Sequence, residues 1–172
     1  MSRRARRRAE RPVYLNAPQI AMNRAQRLSD ADAAGQRMLV ETAPLEFCRG
    51  EHCARHWASL ADAANMAETL AGMGLGSGPH ADEVIDRGQQ ALADVHMRHA
   101  ERGTWTLYPA EIDALHWLVA LHCRTQLPAT SYGEMETALD RTRNRIAQAR
   151  AGNASPGTVV LSGNFYPQEA AA

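Results

Sequence analysis

Between Glu51 and Met73 the apolar residues Cys53, Trp57, Leu60, Ala64, Ala67, Leu70 and Met73 fall three or four positions apart, while Arg55, Asp62 and Glu68 lie off that line. Only an α-helix gathers residues at that spacing onto one face, so this stretch is an amphipathic helix that must bury its stripe against a partner. Gly72, Gly74, Gly76, Gly78 and Pro79 then end the helix and turn the chain. The same pattern resumes between His80 and Arg102, with Val84, Ile85, Gly88, Ala91, Leu92, Val95 and His99 inward and Gly103 as the stop. Two consecutive stripes joined by a short turn commit the chain to helix packed on helix.

The flanking segments extend that reading. Pro18 suits the first turn of a helical piece, where its missing N–H costs nothing, and Ile20, Arg24, Arg27 and Leu28 give it only a weak stripe. Ser29, Asp30 and Asp32 restart the helix through Met38, Leu39 and Val40, and Pro44 is expected to close or bend it. Trp105 to Tyr108 form an extended connector, and Pro109, Glu111 and Asp113 open a helix that runs to Leu127, with Ile112, Leu115, Leu118, Val119 and His122 inward and Pro128 as its end. Ser131 and Glu134 make a capping box for a last helix with Tyr132, Met135, Leu139, Thr142 and Ile146 inward and Gly152 beyond it. The predicted fold is all-α, an antiparallel bundle of four to five helices over residues 18–152. A basic, mobile arm (1–17) precedes it, and a loose tail (153–172) around Thr158 to Leu161 is disordered or docks as a strand.

Charge divides the chain in the same place. Residues 1–11 carry Arg3, Arg4, Arg6, Arg7, Arg8 and Arg11 against Glu10, a net of +5, whereas residues 12–172 carry thirteen Arg against eighteen acids, a net of −5. A clustered cationic arm can neutralise phosphates or pair with an acidic protein surface. All nineteen basic residues are Arg, which excludes Schiff-base chemistry, a lysine general base and a P-loop lysine. Three cysteines without a disulfide spacing, and no apolar run near the ~18 residues that span a bilayer, point to a cytoplasmic protein in a reducing setting.

Four constellations of residues are candidates for chemistry. Cys48, His52, Cys53 and His56 crowd soft ligands into nine residues, and Cys123 or His122 would complete a tetrahedral zinc set from another helix. Gly50 interrupts the helical spacing, though, and the pattern is no standard finger, so Cys53 reads first as a small core hydrophobe and no cofactor is expected. The His52–His56 pair also lacks the glutamate that a metalloprotease helix uses as its base. His96 and His99 share a face and read as packing residues. The alternating glycines follow a helix rather than a strand, so they make a hinge and not a phosphate loop. Two or three of Trp57, Trp105 and Trp117 are expected to anchor the bundle.

The arm, Arg-Arg-Ala-Arg-Arg-Arg-Ala-Glu-Arg, resembles the arginine-rich RNA-binding peptides of lambdoid phage antitermination proteins, which implies folding on an RNA hairpin. Across the body, Leu45-Glu46-Phe47 with Gly50, Trp57 to Ala67, and Arg102 to Leu107 leading into Glu111 to Leu115 resemble small helical proteins of prophages and mobile elements of high-GC proteobacteria. These are packing motifs, and no catalytic residue carries over. The resemblance implies a non-enzymatic accessory protein that binds a host protein or nucleoprotein complex, in host takeover or counter-defence. The alternatives are an RNA- or DNA-binding regulator working through the arm, a zinc-stabilised module, and a bundle that self-associates.

Overall fold

The computed structural model describes residues 17–50, 53–76 and 78–152. The arm arginines, His52 and the tail lie outside the described residues. Within them the chain is all-α: α1 (Ala17–Ala25), α2 (Asp30–Cys48), α3 (Cys53–Gly72), α4 (Ala81–Arg102), α5 (Pro109–Ala120, carried on to Ala129) and α6 (Tyr132–Arg150). Five long helices form the expected bundle, and the short α1 is a sixth. No helix of the described residues is long and apolar enough to cross a membrane.

Neighbouring helices run antiparallel, and side-chain contacts fix the register. On α3 and α4, Trp57 Nε1 donates to Leu92 O at 2.9 Å, and Gln89 Nε2 donates to Glu68 Oε2 at 2.7 Å. On α3 and α6, the Thr69 and Thr142 hydroxyls meet at 2.7 Å and Arg145 Nη2 donates to Asn65 O at 3.0 Å. Between α4 and α5 the Leu118 side chain packs directly on Gly88, where a β-carbon would stand 2.8 Å from Leu118 Cδ2. The core between these helices holds Trp57, Leu60, Leu70, Leu92, Val95, Leu115, Leu118 and Leu127, each at most 2% exposed. Fully burying a large apolar side chain contributes about 1.5–3 kcal/mol, so the stripes legible in the sequence are the principal source of stability.

Local chemistry sets the helix ends. Gly103 takes φ 69° and returns its N–H to His99 O, closing α4 with a left-handed residue that glycine adopts without a side-chain clash. Ser131 Oγ accepts from Glu134 N–H while Glu134 Oε2 accepts from Ser131 N–H, which is the expected capping box of α6.

Of the two outcomes expected of Pro44, closure does not occur: α2 continues to Cys48 with Pro44 fully buried. Two other expectations need correction. Pro128 lies inside the last turn of α5, which reaches Ala129. Ahead of it Leu121–Gln126 widens into a π-helical turn in which Leu127 N–H reaches back five residues to His122 O, and the wider turn relieves the crowding that a proline ring imposes on the preceding carbonyls. Tyr132 is exposed rather than inward, because α6 turns Met135, Ala138 and Thr142 to the core and leaves its first residue at the rim.

The first helix packs on the last. Leu28 N–H donates to Thr130 O and Tyr132 N–H to Gln26 O, forming an isolated antiparallel bridge between Arg27 and Ser131. Arg24 meets Glu136 at 2.7 Å, and Gly133 lies so close that a β-carbon would be 3.1 Å from the Arg24 carbonyl oxygen.

Candidate functional site

Two features of the surface stand apart from the packing. The first is built on Trp117. Its neighbours Leu115, Leu118 and Val119 face the core, and the helical rotation therefore carries Trp117 to the outside of α5, where it is 67% exposed. Of the three tryptophans, two or three of which are expected to anchor the bundle, Trp117 is the one that does not. Trp117 forms a wall shared by two shallow clefts, one with Glu83, Val84, Arg87 and Ala114, the other, of about 410 Å³, with Pro79, Val84, Leu121 and Arg124. The adjoining outer face of α4 is acidic: Asp82, Glu83, Asp86, Asp94 and Glu101 are exposed against Arg87 and Arg102, and Asp113 is exposed on α5.

The second feature is a cleft between α2, α3, the π turn and α6. Val40, Ala63, Met66, Leu139 and Ile146 give it apolar walls, with His122 at its base and Asp62 and Arg143 among its polar lining. His122 is 3% exposed and its imidazole is held below the ordinary histidine range by burial, with the hydrogen bond to Gln126 acting in the opposite direction. Gln126 Nε2 donates to Ala67 O at 2.9 Å, which leaves Gln126 Oε1 as the acceptor 3.3 Å from His122 Nδ1. His122 Nδ1 therefore carries the proton, and Nε2 is the lone-pair nitrogen. Burial also pushes the Asp62 carboxyl above its usual range, although its side chain still reaches solvent. Spacing alone marked His122 as a core position; the carbonyl that sets its tautomer comes from another helix.

The other candidates separate into packing roles. His96 stacks on Trp57 at 5.0 Å and His99 on Trp105 at 3.9 Å, and Phe47 meets Trp105 edge-on at 6.0 Å. Trp57 and Trp105 thus serve as the expected anchors. Cys48 is exposed, while Cys53 is buried with its Sγ 3.9 Å from Phe47 O. His56 Nε2 comes within 3.0 Å of Glu46 Oε2, close enough for an ion pair but without hydrogen-bond alignment. Cys123 is buried in the π turn, and its thiol is pushed up to about 11, chiefly by burial. Among the described residues no three His, Cys, Asp or Glu side chains converge as a metal set. Gly76, one of the expected hinge residues, is pressed against α5, where a β-carbon would stand 3.1 Å from Gln126 Cα.

Comparison with protein families, curated proteins and solved structures finds no match for this chain.

Proposed function

We propose that this chain acts by binding and not by catalysis, as a phage or prophage accessory protein that occupies a host macromolecular complex. The α4–α5 face docks on a basic protein surface, with the Trp117 indole as its anchor, and the arginine arm reaches phosphate. The exposure of Trp117 carries this reading. An indole left two-thirds in water on a packed helix, between two clefts, forgoes burial that the core would have supplied, and Trp is enriched among the residues that dominate binding energy. The acidic surround on α4 adds charge complementarity toward a basic partner, which speeds encounter and rejects acidic competitors.

The test is a pull-down from host lysate, with and without nuclease, using the wild type, Trp117→Ala and a variant with Arg3, Arg4, Arg6, Arg7, Arg8 and Arg11 all replaced by Ala. One protein complex retained after nuclease by the wild type and lost by Trp117→Ala is the expected result. The arm variant should show weaker nucleic-acid binding with a flatter salt dependence. If nuclease releases everything and Trp117→Ala binds like the wild type, the second reading takes over: an RNA- or DNA-binding regulator whose recognition device is the arm, favoured by the six arginines in eleven residues. Elemental analysis of the purified protein decides the zinc-stabilised alternative, and a solution mass decides self-association.

A further inference from the structure

We propose that the His122 cleft is a binding site for a small, neutral, mostly apolar molecule carrying one O–H or N–H donor, held by a hydrogen bond to His122 Nε2. This site is independent of the Trp117 face, which lies on the opposite side of α5. The cleft has a volume of about 410 Å³. That is within the size range of small-molecule sites, which pair apolar walls with a few placed polar groups.

The polar group here is specified in unusual detail. His122 and Gln126 stand four residues apart in the π turn, and widened turns of this kind recur at functional sites. Gln126 is pinned by Ala67 O of α3, so it cannot offer its amide N–H to the histidine without losing that bond. The imidazole is therefore presented as an acceptor, and its Nε2 has no hydrogen-bond partner among the described residues. The side chain is only 3% exposed, yet Nε2 is not one of the buried atoms left without a partner, so this nitrogen opens to solvent, where a ligand donor would take the place of water. Asp62 from α3 and Arg143 from α6 supply opposite charges to the lining, so neither a cation nor an anion is favoured by the site as a whole. Thr69 donates its only hydroxyl proton to Asn65 O, which leaves Thr142 to donate to Thr69, so Thr142 has no proton to give a ligand and the cleft favours a ligand that brings the donor itself.

The test uses two probes with one body. The full-length protein is titrated with 2-naphthol, which has the donor, and with 2-methoxynaphthalene, which lacks it, and both affinities are read by calorimetry. The naphthol should bind about tenfold more tightly, the value of one net hydrogen bond of ~1.4 kcal/mol. The preference should vanish in His122→Phe, which keeps a ring and removes the acceptor, and both probes should lose binding in Met66→Trp, which fills the cleft from α3. Nitrogen-resolved NMR of the wild type needs no variant to fold: His122 should be the Nδ1–H tautomer, and naphthol should shift Nε2. Equal affinities for the two probes, no detectable binding of either, an Nε2–H tautomer, or naphthol binding that survives in a folded Met66→Trp protein would each overturn the proposal.

Discussion

The Arg98 guanidinium and the Glu111 carboxylate meet fork to fork between α4 and α5, Nη1 to Oε2 at 3.2 Å and Nη2 to Oε1, with side chains only 12% and 10% exposed. The same pair fastens the connector between the helices. Glu111 Oε2 accepts from Tyr108 N–H at 2.7 Å, Arg98 donates to Thr106 O, and the guanidinium lies 4.0 Å over the Tyr108 ring. Removing one partner strands the other, so Glu111→Ala should cost about 3–5 kcal/mol in urea unfolding. The double replacement Arg98→Met with Glu111→Leu should recover most of that loss, because it strands no charge. A double variant as unstable as Glu111→Ala would contradict this account.

Tryptophans of equal size should differ in weight. Trp57, 2% exposed and bonded to Leu92 O, should cost about 3–5 kcal/mol on replacement by Ala. Trp117→Ala should change stability by less than about 1 kcal/mol while abolishing partner capture. Equal losses of stability for the two variants would remove the argument that Trp117 is kept for binding.

The turn after α3 should tolerate no side chain at Gly76. Its φ of 63° disfavours any β-carbon, and the added atom would stand 3.1 Å from Gln126 Cα and 3.3 Å from its nitrogen, both backbone atoms that cannot swing aside. Gly76→Ala should therefore destabilise by about 1–3 kcal/mol and disturb the Gln126–His122 contact, seen as a shift of the His122 ring resonances. Gly74→Ala, which has a φ of 80° but nothing within 4 Å, carries only the backbone part of that cost.

Acid should weaken the fold through His122. Its folded-state value lies below the ordinary 6.5, so below that pH the unfolded chain takes up a proton that the folded one refuses. The contribution is fully present above 6.5 and is lost as pH falls toward the folded value. The charged groups that line the cleft with it, Asp62 from α3 and Arg143 from α6, stay in place in both proteins of the comparison. The wild type should lose more stability than His122→Gln between pH 7.5 and pH 5.5. Parallel losses in the two would show that His122 is not the titrating group.

The apolar periodicity of α3 and α4, the capping box at Ser131, the left-handed stop at Gly103 and the proline start of α5 were all legible, because each depends on residues within a few positions of one another. Periodicity cannot say which side of a stripe's edge turns outward, and so Tyr132 was placed inward. It is equally silent on pairs such as Arg145 with Glu68, 2.9 Å apart, or Gln126 with Ala67, whose partners come from separate helices. That the chain is a helical bundle follows from its stripes, since burying 3.6-residue stripes has no other low-energy outcome. Which polar groups face one another across the bundle, which nitrogen of His122 is left to accept, and the exposure of the Trp117 indole depend on contacts between helices. Those properties follow from the rotation and register of helices distant in sequence, which are set when the whole core packs at once.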